Sequence, residues 1–297
     1  MNSDLSALDL DRLGAFVVFA EHLSFTRAAR SLGITQPALH AQVGRLADDL
    51  GVQLYRRAGR GLELTHHGLK VLQFAREIRE RSQEFLNDIR GTQAHQPVTL
   101  VADETCNLYL LRPAMELLAR SASVPLRVLV RAGAQALDAL RVGEAHIAVT
   151  ALETLPGNME AKPLTQVQRL LVVPQDHELT QRSAVGLGDL RGMQFIVSPQ
   201  GSERARLERE LRAKHVMMQV AAEATSCELS LRMVQLGLGA AIVPACCHML
   251  PGLVGIPVTD LGALSYYVVR LRQPVVRAVV EEVEARLLEC CHLWQQP

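Results

Sequence analysis

Apolar positions repeat with a helical period along the N-terminal third of the chain, and beyond it they come as short runs separated by helical stretches. Leu13, Phe16, Val17 and Ala20 fall at i, i+3, i+4 and i+7, which predicts an amphipathic helix over 9–22. Ser24 and Thr26 are candidate caps for a short second helix through Ala28, Ala29 and Leu32, after which Gly33 punctuates the chain. Thr35 offers the next N-cap, and Pro37 sits in a first turn, where a missing N–H costs little. Leu39, Val43, Leu46 and Leu50 then mark the buried stripe of a third helix, which Gly51 ends. Two short helices joined through a glycine turn and packed on a first helix follow the helix-turn-helix plan.

Residues 53–57 and 61–65 read as two short strands around Ala58-Gly59-Arg60, a hairpin wing. A long helix is predicted from 66 to 90. Its Val71, Ala75, Ile78, Ser82, Phe85 and Ile89 alternate steps of four and three, the seam of a coiled coil. A polar stretch at 91–97 ends in proline and marks a boundary. Beyond it, strands over 98–102, 126–130, 147–150, 170–173, 195–198, 217–222, 240–243 and 266–271 alternate with helices over 108–120, 134–142, 202–213, 227–236 and 275–293. Repeated βα units predict an α/β architecture with mainly parallel sheets, grouped into two lobes.

Net charge is zero, which gives no reason by itself to expect a nucleic-acid partner, but the balance is uneven. Between Thr26 and Arg60 stand six arginines against two aspartates, a local charge of +4. Gln36, His40, Gly44 and Arg45 lie off the apolar stripe of the third helix. Gln, His and Arg can all bond base edges in a major groove, although a solvated polar face fits the same pattern. Gln36, Pro37 and His40 are the candidates for base contact. Thr35, Arg57 and Arg60 are the candidates for backbone or minor-groove contact. The longest apolar run, 236–250, is too short to span a bilayer and is interrupted by Pro244 and His248. Asp4, Asp9 and Asp11 precede any apolar stretch, unlike a secretory leader, so a cytoplasmic location with no membrane contact is expected. The six cysteines are then expected as thiols.

Over residues 13–72 the chain resembles the winged helix-turn-helix of LysR-type transcriptional regulators. The matching residues are Phe16 and Ala20, Ser24-Phe25-Thr26 with Ala28-Ala29, Gln36-Pro37-Ala38-Leu39 with Gln42, Leu50-Gly51, Leu54-Tyr55, Arg57, Arg60, Leu64-Thr65 and Gly68. One departure stands out, because His40-Ala41 occupies the place where the family usually has Ser-Arg. More weakly, Leu140-Arg141-Val142-Gly143-Glu144 and Gly237-Leu238-Gly239-Ala240-Ala241-Ile242-Val243-Pro244 resemble motifs of the family's periplasmic-binding-protein-like effector domain. The resemblance implies a DNA-binding domain at 1–65, with the helix-turn-helix at about 25–44, and a linker and dimerisation helix at 66–92. It also implies a two-lobed effector domain at 93–297, with lobe I at about 97–165 and 268–297 and lobe II at about 166–267. A homodimer or homotetramer reading an interrupted palindrome in double-stranded DNA is implied as well.

Three strand-to-helix loops carry small polar residues, as ligand-binding loops at strand carboxyl ends do. They supply Thr105, Cys106 and Asn107, then Ser198, Gln200 and Ser202, then Thr225 and Ser226. N-capping alone would explain each; together they suggest a cleft for a small, anionic metabolite. Cys106 and Cys227 leave open a thiol switch that senses an oxidant or electrophile. Enzyme signatures such as Gly-x-Ser-x-Gly, the phosphate loop and His-Glu-x-x-His do not occur, so catalysis and cofactors are not expected. Cys246-Cys247-His248 and Cys290-Cys291-His292 lack zinc-knuckle spacing and are expected in or beside buried helices, without metal.

Overall fold

Asp9 accepts the N–H groups of Asp11 (2.9 Å) and Arg12 (3.3 Å), which starts α1 (Leu10–His22). The computed structural model describes residues 9–59, 61–90, 96–121, 125–152, 154, 157–199, 201–272 and 276–289. Contacts divide the chain into two units, Met1–Pro97 with Asp138–Ala145, and Val98–Leu137 with His146–Pro297.

In the first unit Ser24 caps α2 (Phe25–Leu32), and Gly33 ends it at φ 67°, a left-handed conformation that costs glycine little. Thr35 Oγ1 accepts the Ala38 N–H at 3.3 Å and starts α3 (Gln36–Leu50), with Pro37 in its first turn. Phe16, Phe19, Ala28, Leu39, Val43 and Leu46 are buried where the three helices meet. Thr26 is not the cap that its position suggested: its hydroxyl donates to Gln36 Oε1 at 3.1 Å.

The wing is an antiparallel pair, β1 (Tyr55–Ala58) and β2 (Gly61–Leu64), with Ala58 opposite Gly61. Thr65 Oγ1 donates to the Gln53 carbonyl (2.6 Å) and accepts the Gly68 N–H (3.0 Å), which fixes the wing to the start of α4 (His66–Ile89). A Cβ at Gly68 would lie 1.9 Å from the Leu54 carbonyl oxygen, so α4 passes the chain at a distance that only glycine allows.

The seam expected along α4 is corrected over its first half. Ala75 is buried in the head core, and Val71 and Ile78 pack against it beside Leu72. The helical period was right, but the stripe is already used by the helix's own head. Exposed apolar residues on α4 are Phe74, Phe85, Leu86 and Ile89. Arg76 donates to the Val142 carbonyl and pairs with Glu21 at 3.7 Å, holding the Asp138–Ala145 segment and α1 to the same helix.

The second unit holds two five-stranded sheets. The strands of the first are β3 (Val98–Ala102), β4 (Leu126–Val130), β5 (Ile147–Ala151), β6 (Met159–Val167) and β12 (Leu264–Leu271), in the order β4-β3-β5-β12-β6. The second contains β7 (Arg169–Pro174), β8 (Gln194–Val197), β9 (Gln219–Glu223), β10 (Ala240–Pro244) and β11 (Leu253–Pro257), in the order β11-β7-β10-β8-β9. Helices α5 (Arg112–Ser121), α6 (Ala134–Arg141) and α9 (Ala278–Glu289) go with the first sheet by sequence, and α7 (Ser202–Ala213) and α8 (Cys227–Gln235) with the second.

Both sheets are mixed, not mainly parallel as predicted. The pairs β3–β4, β3–β5, β8–β9 and β8–β10 are parallel, whereas β12 with β5 and β6, and β7 with β10 and β11, are antiparallel. Strands β6 and β11 were not predicted, because Lys162 and Pro163 break the apolar pattern of one and Gly255 and Pro257 that of the other. Leu171 and Val173 face one core of the second sheet and Val172 the other, the alternation of a strand covered on both sides. Among the described residues, no helix is long and apolar enough to cross a membrane.

Candidate functional site

The exposed face of α3 presents Gln36, Pro37 and His40, and its N-cap Thr35 is exposed beside them. Thr26 occupies the Gln36 carbonyl oxygen, so the amide N–H groups of Gln36 remain to donate. His40 is held from two sides. Its ring lies 4.8 Å from Phe25, and its Nε2 is 3.3 Å from the Tyr55 hydroxyl. Phe19 stacks on Phe25 at 4.2 Å and meets Tyr55 edge-on at 5.0 Å, so one aromatic cluster sets α3 against the wing. Burial pushes the Tyr55 hydroxyl up, which keeps it a neutral hydrogen-bonding group.

On the wing, Arg56 is neutralised by Glu63 at 2.5 Å across the hairpin. Arg57 is exposed, and no carboxylate pairs with it among the described residues. Arg60 lies outside the described residues, as does Gln200, and the side chain of Ser202 is likewise not described.

The three polar loops follow β3, β8 and β9, at the carboxyl ends of parallel strands. The Ala224 N–H donates to the Val197 carbonyl at 2.9 Å, so the chain leading to Ser198 adjoins the chain leading to Thr225 and Ser226. Thr105, in the loop after β3, is 7% exposed, and its side chain acts on Cys227 at the start of α8, favouring that thiolate. The structure therefore joins the first loop to the third and the second to the third.

Ser226 is occupied as the α8 cap, accepting the Leu229 N–H at 3.3 Å, while Ser198 and Thr225 are exposed. Asn107 donates to the Ala102 carbonyl at 3.1 Å, and its Oδ1 is buried without a hydrogen-bond partner among the described residues.

Sequence reasoning missed three residues here. Asp103 accepts the Cys106 N–H at 2.8 Å and so caps the wide helical turn Cys106–Leu110, where Leu111 N–H reaches back to the Cys106 carbonyl. Burial pushes its carboxyl above the usual range, against the pull of those backbone N–H groups. An aspartate three residues before a turn is a cap signal, so Asp103 was open to detection. Tyr266, on β12, is buried within electrostatic reach of Asp103, Cys106 and Cys227, and burial pushes its hydroxyl well up. Cys247 packs with Cys227 in one core of the second sheet, and no sequence signal linked the two.

The cysteines differ sharply. Cys106 is completely buried and its thiol is pushed well up by that burial, which removes it as the reactive thiol proposed from sequence. Cys227 is half-buried, and hydrogen bonds from Cys247 and then Thr105 hold its thiol below the ordinary range. Cys246 and Cys247 are buried in the turn after β10, not in a helix, and His248 points into solvent exposure. Among the described residues, no cluster of three or more His, Cys, Asp or Glu could hold a metal ion. Cys290-Cys291-His292 lies outside the described residues.

Comparison with known proteins bears on both regions. Residues 10–69 match the bacterial regulatory helix-turn-helix protein, lysR family, and residues 91–289 match the LysR substrate binding domain. The uncharacterized HTH-type transcriptional regulator YbhD of Escherichia coli (strain K12) is 28% identical over 294 residues, covering 96% of this chain and 92% of its own. Full-length OxyR from Pseudomonas aeruginosa shares the fold with a TM-score of 0.68 at 23% identity, over 96% of this chain and 95% of that one. Full-length CbnR in complex with its target DNA has a TM-score of 0.56 at 19% identity, over 96% and 100%. With both domains matched in order, the chain belongs to the LysR family of DNA-binding transcription regulators with an effector-binding domain.

Proposed function

We propose that this regulator reads an interrupted palindromic operator through α3 and the wing, under control of a small molecule held by the three polar loops. The division of labour follows residues 1–65 for DNA, 66–92 for the linker and 93–297 for the effector, in a cytoplasmic protein that acts by binding and not by catalysis. One observation carries the DNA reading: Thr26 fixes the Gln36 amide so that its N–H groups face out from α3. Gln36 and His40 then read base edges beside Pro37, and Thr35, Arg57 and Arg60 contact the backbone or minor groove. Replacing Gln36 by Ala should cost about 1–3 kcal/mol of operator affinity and relax specificity, whereas Arg57→Ala should weaken all sequences alike and lower the salt slope by about one. Wild-type affinity and selectivity in Gln36→Ala would remove Gln36 from the interface.

Phe74, Phe85, Leu86 and Ile89 are the exposed residues proposed to pair two copies along α4, with effector-unit contacts joining dimers into a tetramer. An Phe85→Asp variant should shift the light-scattering mass downward, and an unchanged mass would place pairing elsewhere.

For the effector, Thr105, Asn107, Ser198, Gln200, Ser202, Thr225 and Ser226 remain the proposed set, with Cys106 behind them. The anionic expectation rested on free helix N–H groups, but Asp103 takes the Cys106 N–H and Ser226 that of Leu229. A polar molecule of low net charge, carrying a donor for Asn107 Oδ1, fits better. At 100 times its Kd such a ligand should stabilise the chain by about 2.7 kcal/mol in a thermal-shift screen. Thr225→Val should abolish that shift without loss of operator binding; a retained shift moves the site away from these loops.

A further inference from the structure

Between residues 36 and 41 the exposed polar side chains of α3 are Gln36 and His40. Pro37, Ala38 and Ala41 are exposed beside them and add no polar side-chain group. Four residues beyond Ala41, the exposed Arg45 brings donors only.

Both Gln36 and His40 are braced at an atom that could otherwise accept. Thr26 Oγ1 donates to Gln36 Oε1 at 3.1 Å, which turns that oxygen back toward α2 and leaves the amide N–H groups on the open side. The Tyr55 hydroxyl lies 3.3 Å from His40 Nε2 and has no other hydrogen-bond partner among the described residues. Burial pushes that phenol up and keeps it neutral. A neutral phenol is a better donor than acceptor, so Tyr55 donates to Nε2 and the imidazole proton stands on Nδ1. The nitrogen that His40 has left for an outside partner is therefore an N–H.

We propose, on the reading that α3 enters the major groove, that it selects guanine at two positions of each half-site, one facing Gln36 and one facing His40. Guanine shows two acceptors there, O6 and N7, and no donor. Adenine sets N7 beside its N6 amino group, a donor that Gln36 and His40 as braced leave unmatched, and cytosine shows only a donor. Thymine has one acceptor beside a methyl group, so it satisfies fewer N–H groups. The pairing of glutamine with adenine needs the amide oxygen and an amide N–H on one edge, which the Thr26 bond prevents. Four residues of helix separate Gln36 from His40, about 6 Å of axis against the roughly 3.4 Å rise of a base pair, so they meet different base pairs.

Thr26 and Tyr55 are positioning residues: each sets which base is preferred, whereas a loss of packing alone would lower affinity for every sequence alike. The test is selection of operators by the full chain from a randomised duplex pool, read by sequencing. Wild type should enrich guanine over adenine by about fivefold or more at two positions of each half-site. The position that loses its preference in Gln36→Ala is the one Gln36 reads, and His40→Ala identifies the other. Thr26→Val should move the Gln36 position from guanine toward adenine, because the released amide can present its oxygen and an N–H together. Tyr55→Phe keeps the ring but removes the donor, and should lower the guanine preference at the His40 position alone. Adenine at the Gln36 position in wild type, or a Thr26→Val profile that keeps guanine while all sequences bind more weakly, overturns the proposal. Profiles unchanged in both Gln36→Ala and His40→Ala remove α3 from the groove, and so overturn the reading beneath it as well.

Discussion

The helix-turn-helix head and the three polar loops of the second unit place their candidate side chains by opposite means. In the head, Gln36, His40 and Arg57 are exposed and lie within one short stretch of chain, over a core of Phe16, Phe19, Leu39 and Leu46 that does nothing but support them. In the effector unit, Thr105, Tyr266 and Cys247 are buried and come together from distant parts of the sequence. A group on the head can therefore be removed with little cost to folding, because water replaces its contacts. A buried group such as Thr105 takes part in the core, and its removal changes stability together with anything else it does.

The strongest way to break this contrast is to attack the head's support. Phe19→Ala should cost about 3–5 kcal/mol, with loss of the aromatic cluster and of operator binding, as followed by chemical denaturation. If it proves as mild as a surface change, the head core is not what holds α3.

A second test uses pH. The folded chain keeps the Asp103 carboxyl protonated to higher pH than the unfolded chain does, because its value is raised by burial. That contribution to stability is complete below the usual carboxylate range and falls as pH rises through the raised value. Asp103→Asn removes the titration, so wild type should lose stability relative to the variant as pH rises from the usual carboxylate range through the raised value. Parallel stability curves would show that Asp103 ionises normally.

Thr105→Val keeps the shape but deletes the hydroxyl that acts on Cys227. It should cost about 1 kcal/mol and move the pH midpoint of Cys227 alkylation upward, since the thiolate loses a stabilising bond. The smallest effect belongs to the head: Thr26→Val frees the Gln36 amide to rotate and should weaken operator binding by about 0.5–1 kcal/mol without changing the melting transition. A larger drop in stability than in affinity would erase the distinction between the two regions.

The same contrast explains what could be read from sequence. Capping by Ser24 and Thr35, the stop at Gly33 and the stripe of Leu39, Val43 and Leu46 are local chemistry, and each is visible within a few residues. Thr26 failed because both its roles, cap or brace, satisfy the same local pattern. The stripe on α4 was legible as a period, but its partner was not, since a period does not say which surface covers it. The antiparallel strands β6 and β11 were lost to Pro163 and Gly255, where pairing with β12 and β7 overrides poor propensity. The Cys227–Cys247 contact depends on how a turn after one strand meets the start of a helix, which no spacing encodes.

Tyr55 ties the recognition helix to the wing through His40, and among the chain's four tyrosines it alone stands before residue 98. The other three, Tyr109, Tyr266 and Tyr267, all belong to the second unit. The head therefore carries a single phenol, at the joint where α3 meets the wing. A tyrosine ring label would give that joint its own resonance, distinguishable by loss in Tyr55→Phe, and would let wing docking be watched in the intact regulator without an added dye.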